Sequence, residues 1–193
     1  DENFPLPAIV KPANSDSSLG ITNESVVENH AALKKRIEYV LEELKRPALI
    51  EEFIDGDEYD VSILGNWDDK QRVLPLSRLV FKGLPEGYWH MYPYEAKFLG
   101  SQVHKQGIEV QRPPKGVPGK LTSLISEIAL DALNVVGCSD YGRVEVRVDR
   151  NGNPCVLEVN PNPTIGPTDC VPSVAALAGM NYGDFLEEIL RLA

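Results

Sequence analysis

The stretch Arg143-Val144-Glu145-Val146-Arg147-Val148-Asp149-Arg150-Asn151-Gly152-Asn153-Pro154-Cys155-Val156-Leu157-Glu158-Val159-Asn160 carries the decisive pattern. Strict alternation from Arg143 to Asp149 marks a strand. Val144, Val146 and Val148 face a core, while Arg143, Glu145, Arg147 and Asp149 face the other way. Asn151-Gly152 is a strong signal for a tight hairpin. With those two residues as the turn, Arg150 faces Asn153, Glu145 lies opposite Glu158, and Arg143 lies opposite Asn160. Carboxylates directly opposed across a ladder repel, so a positive partner belongs between them. On alternation alone two partners remain open. One is a hard divalent cation such as Mg²⁺, which takes carboxylate and amide oxygens; the other is a solvated face neutralised by the nearby arginines. The tail Glu158-Val159-Asn160-Pro161-Asn162-Pro163 favours the cation, because a solvated edge needs no carboxylate and amide two apart before a rigid proline loop.

Working outward, Ala8-Ile9-Val10 reads as a strand, followed by a polar loop from Pro12 to Gly20. Asn29 is the expected N-cap of a helix over 30–45, which Pro47 ends. Ala48-Leu49-Ile50, Tyr59 to Leu64, Val73-Leu74, Leu79-Val80-Phe81 and Cys155 to Val159 read as further strands. A second helix is expected over 118–136, with Leu121, Leu124, Ile125, Ile128, Ala129, Ala132 and Leu133 on its buried face. Short helices close the chain, the last over Tyr182 to Leu192. The Gly- and Pro-rich stretch from Lys82 to Gly119 reads as a long functional loop that covers a site. Strands and helices alternate without the regular period of a doubly wound sheet, so the expected class is α+β with antiparallel sheets.

The chain has 193 residues, with 29 acidic against 19 basic side chains and a net charge of −10. That balance argues against nucleic-acid or anionic-membrane surfaces, which require clustered Lys and Arg. With 42% hydrophobic and 25% charged residues, the composition is that of a folded globular protein. No apolar run reaches the ~20 residues of a membrane helix. Cys138, Cys155 and Cys170 lack C-x-x-C spacing, and Cys138 reads as a small buried hydrophobe, so a reducing cytoplasm is expected. His30, His90 and His104 lack metal-ligand spacing, and His30 is expected to be exposed. The chain begins without Met and enters a strand almost at once, which reads as a piece of a longer protein.

Five ordered segments resemble one family. Glu158-Val159-Asn160-Pro161-Asn162-Pro163 is similar to the metal-binding signature of ATP-grasp ligases, above all D-alanine–D-alanine ligases. Ile9-Val10-Lys11-Pro12 with Ser17-Ser18-Leu19-Gly20 resembles their strand and phosphate-covering loop. Leu49 to Ile54, with Gly56 and Glu58, resembles the adenine hinge and ribose contact. Tyr94-Glu95-Ala96-Lys97-Phe98 resembles their Tyr-Glu-Ala-Lys-Tyr segment, and Gly142-Arg143 before Glu145 resembles their Gly-Arg-x-Asp step.

The resemblance implies an ATP-grasp fold, with 1–58 as part of the central subdomain and 59–193 as the C-terminal catalytic domain. It implies a cytoplasmic ligase of cell-wall peptidoglycan synthesis that joins a carboxylate to an amine through an acyl phosphate. ATP and Mg²⁺ are the implied cofactors, with two ions bound and Mn²⁺ as a substitute. Small amino acids or peptides are the implied substrates and a homodimer the implied assembly, with neither nucleic acid nor membrane as a partner. Glu145, Glu158 and Asn160 would hold the metal. Arg143 and Ser17 would be catalytic. Ile9, Lys11, Ser17, Ser18, Glu51, Glu52, Phe53, Ile54, Glu58, Lys97 and Leu157 would contact ATP, the hinge from Glu51 to Ile54 through its backbone. Thr164, Asp169 and Cys170 would line the acceptor pocket.

The departures from the family pattern are specific. Asp16 stands where the phosphate loop carries glycine, and Phe98 replaces a tyrosine. Thr164 takes a glycine position, and Asp169 takes that of a serine that holds the acceptor carboxylate. An aspartate there would repel free D-alanine. The family's N-terminal domain precedes the segments matched here, so the chain is expected to be the C-terminal part of such a ligase. Asp16, Thr164 and Asp169 support an alternative, a nucleotide-binding or interaction module of the same fold without ligase turnover.

Overall fold

The computed structural model describes residues 4–67 and 71–193. Among the described residues, nine strands are formed by Ala8–Pro12 (β1), Val26–Val27 (β2), Ala48–Glu52 (β3), Asp57–Leu64 (β4), Arg72–Val73 (β5), Ser77–Phe81 (β6), Ile108–Gln111 (β7), Tyr141–Val148 (β8) and Pro154–Asn160 (β9). The helices are His30–Glu38 (α1), Tyr94–Lys97 (α2), Gln102–Gly107 (α3), Gly119–Val135 (α4), Cys170–Leu177 (α5) and Tyr182–Leu192 (α6). By compactness the chain divides into two units, 1–55 with 81–109, and 56–80 with 110–193. The expected division at 58 assigns 81–109 to the second domain, whereas its contacts group it with the first unit.

The first unit is a three-stranded antiparallel sheet, β2-β1-β3, backed by α1. Ala8 and Val10 alternate inward and meet Val27, Leu33 and Val40. Asn29 caps α1 by accepting from the Ala32 N–H at 2.9 Å, and the helix runs on through a π turn at Tyr39–Glu43. The stretch expected as one long loop instead contains α2, α3 and β7. Within the first unit it is tied down: Asn23 donates to Gly87 O and accepts from Trp89 N–H, both at 2.8 Å.

The second unit is built on the strand order β6-β4-β8-β9, with β5 added to β4. One face of this sheet packs against α4, where Ile125, Ala129 and Leu133 meet Tyr59, Val61, Ile63, Val144 and Val146. The expected helix face holds except for Leu124, which is 42% exposed. At one end of the other face Leu64 packs with Val171, Val174 and Phe185 from α5 and α6.

The β8–β9 hairpin forms the expected pairs at its open end and corrects the turn. Arg143 pairs with Asn160 and Glu145 with Glu158, but Val146 pairs with Val156 and Val148 with Pro154. The turn therefore spans three residues, Arg150 to Gly152. It is closed by Asp149 N–H to Asn153 O at 3.0 Å and Gly152 N–H to Asp149 O at 3.1 Å. Its left-handed residue is Gly152, at φ 86°. The Asp149 carboxylate accepts from Asn153 and Asn151, and these bonds, led by the Asn153 backbone, hold its pKa below the usual carboxylate value. On its own such a turn would set Glu145 opposite Leu157 and put Glu158 on the valine face. A β-bulge at Leu157 absorbs the extra residue and returns Glu158 to the charged face.

These two turn geometries make different demands. A two-residue type I′ turn, which Asn-Gly favours, needs positive φ at both central residues, whereas the observed turn needs it at Gly152 alone. Gly152→Ala should therefore lower stability by about 1 kcal/mol, and Asn151→Ala should be neutral to within about 0.5 kcal/mol. Urea denaturation of both variants checks this; equal losses would restore the two-residue turn.

Candidate active site

Among the candidate residues of the first unit, Ile9, Lys11 and Glu51 share the side of the sheet opposite Ala8 and Val10, Glu52 pairs with Ala8 on the other side, and Ser17 and Ser18 lie in the loop after β1. Ile9 pairs with Glu51 and Lys11 with Leu49, so the hinge strand runs beside the lysine strand. Lys11 makes an ion pair with Glu51. Ile9 and Phe53 share an apolar cluster with Val26 and Met91, and Phe53 meets Trp89 edge-on at 5.2 Å. Hinge backbone was expected to be open to a ligand, but the Phe53 N–H donates to Pro7 O at 2.9 Å and is already used. Glu52 is exposed and Ile54 half-buried at the end of the strand.

Ser17 and Ser18 both adopt left-handed backbone, at φ 56° and 60°. Such conformations cost an L-residue roughly 1 kcal/mol each and need support from their surroundings. Leu19 N–H to Asp16 O at 3.0 Å and Ile21 N–H to Ser18 O at 2.9 Å fold the loop into successive turns. Gly20 follows at φ 77°, where a Cβ would stand 2.7 Å from a Leu44 methyl. The buried Arg36 donates to Gly20 O and Ser25 Oγ, each at 2.7 Å, and pins the loop to α1. Ser18 Oγ donates to Tyr92 O at 3.4 Å. Lys97, on α2, sits over the Tyr92 ring 5.6 Å from its centre, while Phe98 is 56% exposed beside Tyr94.

In the second unit the register aligns one row of side chains across four strands. Ser77 pairs with Asp60, Asp60 with Glu145, and Glu145 with Glu158. The adjacent row is Ser62, Arg143 and Asn160. Directly opposed residues share a face, so both rows present their side chains together. Arg143 Nη2 donates to Glu145 Oε1 at 2.7 Å, and its Nε lies 3.5 Å from Asp60 Oδ1. Burial opposes the Arg143 charge, but Asp60 and Glu145 outweigh it and hold its pKa above the ordinary value. Burial, then Glu145, push the Asp60 carboxyl up to about 6 against the pull of Arg143.

The remaining second-unit candidates gather around these rows. Glu58 pairs with Arg147 across the ladder at 2.5 Å, so one oxygen expected to accept from a ribose already has a donor. Asn160 Oδ1 accepts from Asn162 N–H at 3.0 Å, and Asn162 in turn accepts from the Tyr141 hydroxyl at 2.7 Å. Leu157, displaced by the bulge, is 38% exposed. Cys170 Sγ donates to Asp60 Oδ2 at 3.7 Å; burial, then Asp60, push its thiol up to about 11. Asp169 accepts from Gly166 N–H at 2.8 Å and so closes its own loop, and Thr164 is exposed. Cys138 packs beside the core.

Among the described residues, no three His, Cys, Asp or Glu side chains form a ready metal cage. The set that suits a hard cation is two carboxylates and one amide oxygen: Glu145, Glu158 and Asn160, on one face in adjacent rows. No described helix is long and apolar enough to cross a membrane.

The chain matches the family described as "D-ala D-ala ligase C-terminus" over residues 1–191. It belongs to that family. The D-alanine–D-alanine ligase of Haemophilus influenzae is 34% identical over 188 residues, covering 97% of this chain and 56% of that protein. The crystal structure of the D-alanine–D-alanine ligase from Bacillus anthracis superposes with a TM-score of 0.73 at 25% identity, over 97% of this chain and 54% of that one. The VanG D-Ala:D-Ser ligase of Enterococcus faecalis shares the fold, with a TM-score of 0.75 at 22% identity over 98% and 50% of the two chains. The chain thus spans about half the length of the relatives it matches. The fold is ATP-grasp, and ligases of this family use ATP and Mg²⁺.

Against this family background, the sequence reading missed Asp60, Ser77 and Arg112. Arg112 Nε donates to Ser77 Oγ at 3.1 Å and extends the row beyond Asp60. A signal for Asp60 was available, since it lies two residues from Glu58 on a strand and so shares its face. The pairing of that strand with β8 was not available from the sequence.

Asp60 supplies a pH test. An unfolded aspartate titrates near 3.9, whereas the folded one titrates at about 6. Its ionised form is therefore disfavoured by the fold, with no penalty below the unfolded value and the full penalty above the folded one. Asp60→Asn should stabilise the metal-free protein by on the order of 2 kcal/mol above pH 7, and by little at pH 4. Thermal melts at the two pH values check the sign; a variant less stable than wild type above pH 7 would refute it.

Proposed function

We propose that the protein carrying this chain is an ATP-dependent carboxylate–amine ligase acting on small amino acids or peptides in the cytoplasm. The carrying observation is the Glu145–Glu158 opposition beside Arg143 and Asn160, since it gathers anionic oxygens and a guanidinium where a phosphoryl group is to be handled. In the proposed reaction a substrate carboxylate oxygen attacks the γ-phosphorus of ATP, and ADP leaves. The amine nitrogen of the second substrate then attacks the acyl carbon; phosphate departs, the nitrogen loses a proton, and an amide remains. Arg143 would offset the charge on the transferring group. Lys11 and Lys97 would serve as point charges for phosphate oxygens, with Lys11 exchanging Glu51 for phosphate. Ser17 and Ser18 would cover the phosphates, Ile9, Phe53 and Leu157 would flank the base, and Glu58 would accept from the ribose.

Glu145, Glu158 and Asn160 would hold Mg²⁺, or Mn²⁺ in its place, as two ions in the full complex. Bound there, the metal would supply charge neutralisation for the phosphates. Cys170 and the 164–169 loop would border the acceptor, and the assembly would be a homodimer. A second reading, nucleotide binding without turnover, draws on Asp16, Thr164 and Asp169, which alter the positions where phosphate and acceptor would lie.

Phosphate release from the intact protein with an amino-acid and peptide panel tests the ligase reading. Substrate-dependent release supports it; nucleotide binding without release for any member favours the second reading. Glu158→Gln should weaken Mg²⁺-dependent nucleotide binding at least tenfold and leave the fold intact. By removing one of two facing charges, it should also raise metal-free stability by a few tenths of a kcal/mol. A sharp fall in metal-free melting temperature would instead make Glu158 a structural residue.

A further inference from the structure

Arg143 is claimed by two carboxylates, and only one of them belongs to the proposed metal set. Glu145 Oε1 takes its Nη2 at 2.7 Å. Its Nε is buried and makes no hydrogen bond among the described residues, and Asp60 Oδ1 is held 3.5 Å from it. The Ser62 hydroxyl, fully buried and also without a hydrogen-bond partner among the described residues, stands opposite Arg143 on the same side as Asp60. The guanidinium therefore has its formed bond on the β8 side and an unused donor facing β4. A buried donor left unpaired is a standing cost, so the β4 side offers Arg143 something to gain.

Glu145 cannot fully serve Arg143 and a divalent cation at once. A cation that takes its oxygens weakens their hold on the guanidinium, and a flexible side chain in a site then needs another anchor. Asp60 is placed to be that anchor. It lies directly opposite Glu145, its Oδ2 is fixed by the Cys170 thiol at 3.7 Å, and its Oδ1 is the atom facing Nε.

The geometry points to Asp60 as a positioning residue that receives the Arg143 guanidinium when Glu145 turns to a divalent cation. This rests on the reading of Glu145 and Glu158 as the metal carboxylates. Without Asp60, Arg143 keeps Glu145 as the carboxylate it is bonded to and competes with the cation for it. Asp60 thus acts through Arg143 and does not itself touch the metal.

The test is a double-mutant cycle on the intact protein at pH 7.5, reading the Mg²⁺ midpoint for binding of a fluorescent ADP analogue. Asp60→Asn should raise the midpoint about fivefold in the wild-type background, the size of a coupling within one charge network. In the Arg143→Gln background, where no guanidinium competes for Glu145, the same change should move it by less than about twofold. Equal shifts in both backgrounds would overturn the proposal, because Asp60 would then act on the metal directly by charge or ligation. A second readout is the Nε–H resonance of Arg143, identified by its loss in Arg143→Lys. In wild type it should persist at saturating Mg²⁺ and ADP; in Asp60→Asn it should persist without metal and broaden away with it. Persistence in both states of the variant would overturn the proposal, and Asp60→Ala provides the same comparison should Asp60→Asn fold poorly. If wild-type nucleotide binding shows no Mg²⁺ dependence, the metal reading fails and this inference with it. A Mg²⁺-dependent wild type with additive variants removes this inference alone.

Discussion

Arg143 sits between two carboxylates that the sheet forces into line, and the polar face of the second unit depends on it. The register brings Asp60, Glu145 and Glu158 side by side on three adjacent strands. Three like charges in a row would oppose strand pairing if nothing neutralised them. The guanidinium meets the first two directly, at 3.5 and 2.7 Å. Its own charge is reinforced in return, while the Asp60 carboxyl still resists ionisation because burial and Glu145 act together. The other face of the same strands, closed by α4 over Val144 and Val146, fixes the backbone that makes this alignment unavoidable.

The first unit solves a different problem, which is to keep a strained loop in shape. Left-handed backbone at Ser17, Ser18 and Gly20 is held between successive turns and the buried Arg36. Arg36 reaches from α1 to Gly20 O and Ser25 Oγ and stacks over Tyr39 at 4.5 Å. The loop geometry is thus inherited from the helix behind the sheet. The segment that follows β6 adds a further brace through Asn23, whose amide bonds backbone on both sides of Tyr88.

Features written in local pattern were legible from the sequence. The bounds of α6 coincide with the expected helix, the Asn29 cap forms, and the Arg143–Asn160 and Glu145–Glu158 pairings appear as the alternation required. Contacts set by strand order were not legible. Nothing local says that β4 lies next to β8, so Asp60 could not be placed beside Glu145, nor Ser62 beside Arg143. The short helices α2 and α3 were hidden for another reason. They lie within a Gly- and Pro-rich stretch, and isolated helices that short have little propensity of their own and take their shape from packing. Asp169 reads as an acceptor-facing charge by position, yet its hydrogen bond to Gly166 gives it a local task that only coordinates reveal.

The bulge at Leu157 imposes a parity rule on this hairpin. An odd turn of three residues and an odd insertion in β9 cancel, and every side chain beyond them keeps its proper face. Either one alone would invert β9 past that point, sending Glu158 toward the hydrophobic layer and a neighbour into the charged row. Length changes in the turn and in the strand are therefore tolerable only in pairs. A lineage that shortened the turn would have to lose the extra strand residue with it, so the two sites should vary in length together although the residues between them need not change at all.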